Sequence, residues 1–217
     1  MSMTIYKQGS RGELVKQIQR ALKLYPDGIY GPLTAERVRE FQASHGLKID
    51  GIVGPATLTL LLPPVVGTVL KLKRSRRTIT EIIVHCTATP EGKDYTVDDI
   101  RRCHTMPVSK GGRGWSDIGY HYIIYRDGTL HEGRDVDVSG AHCTGHNSHS
   151  IGVCYVGGCA TDGKTPKDTR TEEQNTSLLS LLVDLRRFYP TAKIHGHRDF
   201  AAKACPSFDA TKEYSRI

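Results

Sequence analysis

The phrase Asp27-Gly28-Ile29-Tyr30-Gly31-Pro32 returns 23 residues later as Asp50-Gly51-Ile52-Val53-Gly54-Pro55. Each part of it has a physical task. Asp-Gly suits a tight turn with positive φ, the isoleucine anchors the loop in a core, and Gly-Pro leads into the first turn of a helix. Helical periodicity surrounds both copies. Leu14, Ile18, Ala21 and Leu22 fall on one face of a helix that ends near Pro26. A second helix follows Thr34, read as its cap, carries Val38 and Phe41 on one face, and stops at Gly46. A third follows Pro55 with Leu58, Leu61 and Leu62. The repeat therefore predicts a small three-helix domain over residues 1–63.

Pro63-Pro64 ends that pattern, and Lys71 to Arg77 holds five cations in seven residues. Residues 64–78 read as a basic interdomain linker, solvated or drawn to anionic polymers. From Ile79 onward short apolar runs alternate with helical ones: Thr80 to His85, Val97 to His104, Tyr120 to Arg126, Ser150 to Val156, Thr171 to Tyr189, and Ala192 to His195. Interleaved strands and helices predict an α/β domain over residues 79–217, a mixed central sheet flanked by helices. Asp127-Gly128 reads as a hairpin turn, so one strand pair should be antiparallel. Leu178, Leu181, Leu182 and Leu185 form the core stripe of a long helix.

Ten histidines and six cysteines make position decisive. His85 ends an apolar strand at the sheet rim, where sites of α/β folds gather. His197 and Cys205 lie eight residues apart in a loop after the last strand. Two imidazoles and a thiolate suit zinc, and three protein ligands leave a fourth position for water. The spacing matches no short zinc-finger pattern, and His195 competes with His197. Cys86 adjoins His85, but strand alternation turns it to the opposite face, into the core. Without a secretory leader the cysteines are expected as thiols or metal ligands.

Two resemblances sharpen these expectations. Asp27 to Thr34, Phe41-Gln42 and Asp50 to Thr57 resemble the peptidoglycan-binding type 1 domains found on wall hydrolases. That likeness implies wall binding near the loops, with Tyr30 and Gln42 as candidate contacts. Five later segments resemble the amidase-type phage lysozymes, type 2 N-acetylmuramoyl-L-alanine amidases that share their fold with peptidoglycan recognition proteins. They are Val84 to Thr89, Gly114 to Ile124, Arg126 to Thr129, Ser150 to Cys154, and Lys203 to Asp209, in family order. The resemblance implies one zinc ion on His85, His197 and Cys205, with Tyr120 and Lys203 as catalytic residues. It favours His197 over His195 by the interval to the cysteine. His142 and Asn147 are candidates to line the substrate groove. The implied activity is zinc-dependent hydrolysis of the bond between N-acetylmuramic acid and L-alanine, as a phage endolysin. The alternative is a non-catalytic recognition protein, but such proteins typically lack the cysteine ligand.

The formal charge of +7 fits an anionic partner. With the resemblance, that partner is bacterial peptidoglycan, with no nucleic acid expected. The first residues lack the apolar core of a secretory signal and no run approaches the ~20 residues of a bilayer span. The expectation is a monomer made in the cytoplasm, without stable membrane insertion, reaching the wall after holin-type release.

Overall fold

The computed structural model describes residues 5–62, 71–215 and 217. The chain forms two compact units, Met1–Pro64 with Arg216–Ile217, and Val65–Ser215. The first holds helices α1 (Glu13–Ala21), α2 (Pro32–Ser44) and α3 (Pro55–Leu61). Both repeated Gly-Pro pairs do what proline at the first helical position allows: Gly31 and Gly54 cap helices that begin on Pro32 and Pro55. Thr34 is therefore inside α2, not its cap.

The repeat is held by a buried glutamine in each copy. The Gln42 amide nitrogen donates to Asp50 Oδ1 (3.0 Å), the Ile52 carbonyl (2.9 Å) and Thr57 Oγ1 (3.2 Å), while its oxygen accepts the Gly51 N–H (2.9 Å). Gln19 makes the same set with Asp27, Ile29, Thr34 and Gly28, each partner 23 residues earlier. Each glutamine spends its donors and acceptor on closing a turn, which no apolar residue could do. Gln42 is 1% exposed and Tyr30 0%, its hydroxyl donating to the Gly51 carbonyl at 2.9 Å. Neither is available as a wall contact, so both expectations are corrected: they build the turns instead.

The second unit contains β1 (Glu81–Cys86), β2 (Thr89–Pro90), α4 (Val97–Thr105), β3 (Tyr122–Ile124), β4 (Leu130–Glu132), β5 (Ser150–Tyr155), β6 (Gly158–Cys159), α5 (Glu172–Phe188), β7 (Lys193–Gly196) and α6 (Ala210–Glu213). Five strands form a mixed sheet in the order β4-β3-β5-β1-β7. The β3–β4 pair, joined through Asp127-Gly128, is antiparallel as expected; β1 runs parallel to both β5 and β7. Registers place His85 opposite Cys154 and Ile123 opposite Cys154, so these three share one face. On that face α4 packs through Ile100 against Ile123, Ile118 and Val156. Capping boxes start both long helices, Thr96 with Asp99 and Thr171 with Gln174. The buried Gln174 amide also donates to the Ile124 and Val156 carbonyls, tying α5 to β3 and the end of β5.

The basic stretch differs from expectation where it is described; residues 64–70 lie outside the described residues. Arg77 donates to the carbonyls of Val136 (2.7 Å), Asn147 (3.1 Å) and Ser150 (3.2 Å). Ser75 is buried, taking the Tyr189 hydroxyl on its N–H side and donating to the Val136 carbonyl. Lys73 and Arg76 both pair with Asp137, at 2.7 and 3.0 Å. Residues 73–77 are thus a strap on the second unit, not a solvated linker, because loop carbonyls and Asp137 accept their donors.

Replacing Gln42 with Leu keeps the volume and strands the Gly51 N–H and Ile52 carbonyl. At ~1–3 kcal/mol per stranded buried group, amide exchange at Gly51 should speed up by roughly ten- to a hundredfold, readable by hydrogen-exchange NMR on the full chain. Unchanged protection there would contradict the role given to Gln42.

Candidate functional site

His85 sits at the carboxyl end of β1 with 0% exposure. Its ring lies between three others: His197 at 4.6 Å, His142 at 4.9 Å and Tyr120 at 5.1 Å between centroids. His197 follows β7 directly, and β7 is a neighbour of β1, so the sheet itself brings the two histidines together. Cys205 is returned by the loop between them: the Arg198 N–H donates to the Cys205 carbonyl (2.7 Å) and the Gly196 N–H to Asp199 Oδ2 (2.9 Å). The donor atoms of His85, His197 and Cys205 all lie within 4.8 Å of one another.

The donor set fits a zinc-like cation. His85 Nδ1 is 3.8 Å from Cys205 Sγ, and Zn–N and Zn–S bonds of about 2.0 and 2.3 Å at a tetrahedral angle would set N and S roughly 3.5 Å apart. The other ring nitrogen, Nε2, meets His142 Nδ1 at 3.0 Å. One hydrogen-bond direction satisfies the whole chain. His85 Nε2–H donates to His142 Nδ1, His142 Nε2–H to Ser150 Oγ (3.3 Å), and the Ser150 hydroxyl to the His146 carbonyl (2.7 Å). That assignment leaves the His85 Nδ1 lone pair free towards Cys205 and His197. Burial, then neighbouring imidazoles, holds His85 well below the usual histidine range; burial does the same for His142. Burial and then the Lys203 charge lower His197. All three are neutral imidazoles, the form that binds a metal. The neighbouring Cys86 side chain and burial raise the Cys205 thiol, while the Cys86 N–H points at its sulfur from 3.3 Å. A positive charge at this point is what would favour the thiolate.

Tyr120 packs between His85 and His104, with the His104 ring at 5.4 Å. Burial raises it well above the usual tyrosine range. Lys203 is exposed on the loop between His197 and Cys205, close enough for its charge to depress both His85 and His197. A cavity of about 570 Å³ opens beside Tyr120. Thr87, Thr89, Lys93, Tyr95, Arg102 and His104 help to line it.

Five expected residues therefore come together: His85, His197, Cys205, Tyr120 and Lys203. Two do not line a groove. His142 is 6% exposed and lies behind His85. The Asn147 carboxamide oxygen accepts the N–H groups of His142 and Cys143, at 2.8 and 2.9 Å, and so shapes the loop from within. His195 is directed to Asp199 and Phe200 instead of the cluster. Cys86 is buried as expected, and all six cysteines are free thiols. Sequence reasoning missed His142 as the partner of His85. The available signal was Gly152, on the face of β5 that His85 shares: a Cβ there would lie 2.5 Å from the His142 ring.

The N-acetylmuramoyl-L-alanine amidase family matches residues 75–208. The chain belongs to that family. A peptidoglycan binding domain family matches residues 11–61. The endolysin of Enterobacteria phage K11 is 46% identical over 134 residues, 62% of this chain and 84% of that protein. Among solved structures, the N-acetylmuramoyl-L-alanine amidase LysC from Clostridium intestinale URNW superposes with a TM-score of 0.51 at 28% identity, over 64% of this chain and 83% of LysC. Wild-type Drosophila PGRP-LB gives 0.52 at 25% identity, over 66% and 83%. The amidase match begins at Ser75, inside the strap that Arg77 anchors. Peptidoglycan is accordingly the substrate class of this enzyme, and the mixed sheet is the family's fold.

Next to this cluster, His121 accepts the Gly152 N–H on Nδ1 (2.9 Å) and donates from Nε2 to the Val138 carbonyl (3.1 Å). Burial pushes it down to about 4. An unfolded histidine titrates near ~6.5, so unfolding takes up a proton between those two values. The stability tied to neutral His121 is complete above pH ~6.5 and is lost as pH falls towards 4, with a slope of about 1.4 kcal/mol per pH unit. Urea unfolding followed at Trp115 between pH 7.5 and 4.5 should show this fall, and a flat profile would exclude it.

Proposed function

We propose that this chain is a zinc-dependent N-acetylmuramoyl-L-alanine amidase of the endolysin type. The observation that carries the reading is the convergence of His85, His197 and Cys205 at one end of β1, with Tyr120 and Lys203 beside them. One zinc ion would be held by these three side chains. When bound, the cation activates water and draws charge from the lactyl carbonyl of the substrate.

The protein's own groups account for the rest. His142 and Ser150 fix the His85 tautomer and orientation. Tyr120 keeps its proton because its site is buried. The hydroxyl is thereby available as a donor to a developing oxyanion. Lys203 supplies positive charge from the exposed side of the same point and is placed to donate to that oxygen or to the departing L-alanine nitrogen. The cavity beside Tyr120 would take the stem peptide. Tyr120, Lys203 and the three cation-holding residues are thereby separated from the residues that build the loop, His142 and Asn147.

The first unit, by its family match, would hold the enzyme on the wall. The overall reading is a monomeric endolysin, made in the cytoplasm and released to the wall through holin-type lesions. Among the described residues no helix is long and apolar enough to cross a membrane.

Purified sacculi provide the test, with released L-alanine amino groups measured against reducing sugars. Chelation should abolish hydrolysis and zinc should restore it; Cys205→Ser should stay inactive under both conditions. Tyr120→Phe and Lys203→Ala each remove one donor, for which a loss of about 10²–10³ in kcat is expected. Full binding to sacculi with no hydrolysis in the zinc-loaded wild-type chain would move the protein to the recognition class.

A further inference from the structure

The face of β1 that carries His85 at its carboxyl end carries Glu81 at its start, four residues away and so about 13 Å along the strand. There a second set of donors converges. Glu81 Oε2 lies 2.8 Å from His146 Nδ1 and 3.4 Å from His149 Nε2, and the three donor atoms fall within 4.8 Å of one another. We propose that Glu81, His146 and His149 form a second divalent-cation site of the zinc class, distinct from the one at Cys205.

The backbone that presents these side chains is fixed independently of them. Glu81 is paired through β1 with Ser150 and Lys193 on either side. The short turn between the two histidines is held from below by the Asn147 carboxamide and from outside by Arg77, which donates to the Asn147 and Ser148 carbonyls. The Thr80 N–H donates to the His149 carbonyl at 2.9 Å, locking the turn to the residue before Glu81. The Phe200 ring covers His146 at 3.9 Å. Side-chain exposures of 17% for Glu81, 27% for His146 and 37% for His149 leave a path for an ion and a water ligand.

Two imidazoles and one carboxylate form a set that holds zinc with an open fourth position, and the single carboxylate offsets part of the ion's charge. The set contains no sulfur. It should therefore be weaker for soft ions than the cysteine-containing site and spectroscopically separable from it. Occupancy would clamp the start of β1 to the loop that leads from His142 to Ser150, so the second ion would stabilise the loop that positions His85. The competing arrangement is two imidazole N–H groups donating to Glu81 with no ion bound.

The deciding experiment uses the untagged full chain, stripped with chelator and titrated with Co²⁺ and Zn²⁺ by calorimetry and absorption, beside Cys205→Ser, Glu81→Gln and His149→Asn. The wild type should bind two equivalents. Cys205→Ser should lose the thiolate-to-cobalt charge-transfer band yet still bind one equivalent and rise in Tm with zinc. Glu81→Gln and His149→Asn should keep the band and bind the second equivalent at least about 100-fold more weakly. If either of these variants fails to fold by circular dichroism, the equivalent retained by Cys205→Ser decides alone. A wild type that binds one equivalent, wholly lost in Cys205→Ser, overturns the second site. Two equivalents without any charge-transfer band would instead count against Cys205 as a ligand and leave the second site standing.

Discussion

A neutral, dry and oriented imidazole at the end of a central strand is the constraint around which the catalytic unit is arranged. The buried Nε2–H of His85 needs an acceptor, and a neutral one holds the ring neutral where a carboxylate would favour the charged form. His142 supplies that acceptor at 3.0 Å, and is itself neutral because burial depresses it. The cost of burying two imidazoles is offset by passing the hydrogen-bond chain on to Ser150 and then to a backbone carbonyl. Gly152 is part of the same solution, since any side chain at that position of β5 would occupy the place of the His142 ring.

The surrounding loops are long, and something must hold them. Arg77 does much of this from outside the family's strands. Its guanidinium gathers the carbonyls of Val136, Asn147, Ser148 and Ser150, four points on the loop that carries His142. A planar five-donor group is suited to such scattered acceptors, where lysine would reach one at a time. On the opposite side the loop from His197 to Cys205 is closed by the Arg198 N–H on the Cys205 carbonyl and by the Asp199 carboxylate on the Gly196 N–H, while the Tyr155 hydroxyl donates to the Pro206 carbonyl at 2.7 Å. Two independently braced loops thus meet at a ring whose orientation neither could fix alone.

Much of this architecture was legible in the sequence. Short apolar runs gave β1, β3, β5 and β7 within a residue or two but not the two-residue strands β2 and β6, Asp127-Gly128 gave the antiparallel edge, and motif resemblance gathered His85, His197, Cys205, Tyr120 and Lys203. The misreadings share a physical origin. Tyr30, Gln42, His142 and Asn147 are polar residues in loop-rich motifs, and polar residues near a site are easily assigned to ligands. In each case the side chain is consumed by unsatisfied backbone or ring groups that exist only once the chain is folded. Arg77 was misassigned for the converse reason: a run of cations reads as solvated when the carbonyls that would accept its donors come from more than fifty residues away.

The repeat in the first unit shows how such an error could be avoided. Gln19 and Gln42 stand in the same relation to their turns, 23 residues apart like the turns themselves. A residue that recurs in step with a turn motif, inside a helix and with the same turn partners, is more economically explained as part of the turn than as a ligand contact. Two copies serving as ligand contacts would have to meet the same chemical group twice, whereas two turns each need an amide that donates and accepts at once. Glutamine on the adjacent helix is long enough to do so, and asparagine, one methylene shorter, would not span the Gly N–H, the Asp carboxylate and the Ile carbonyl together. By the same logic His142 differs from His85 and His197. It stands on a loop and depends on a glycine in a neighbouring strand, a pairing invisible to local spacing but forced once β1 and β5 lie side by side.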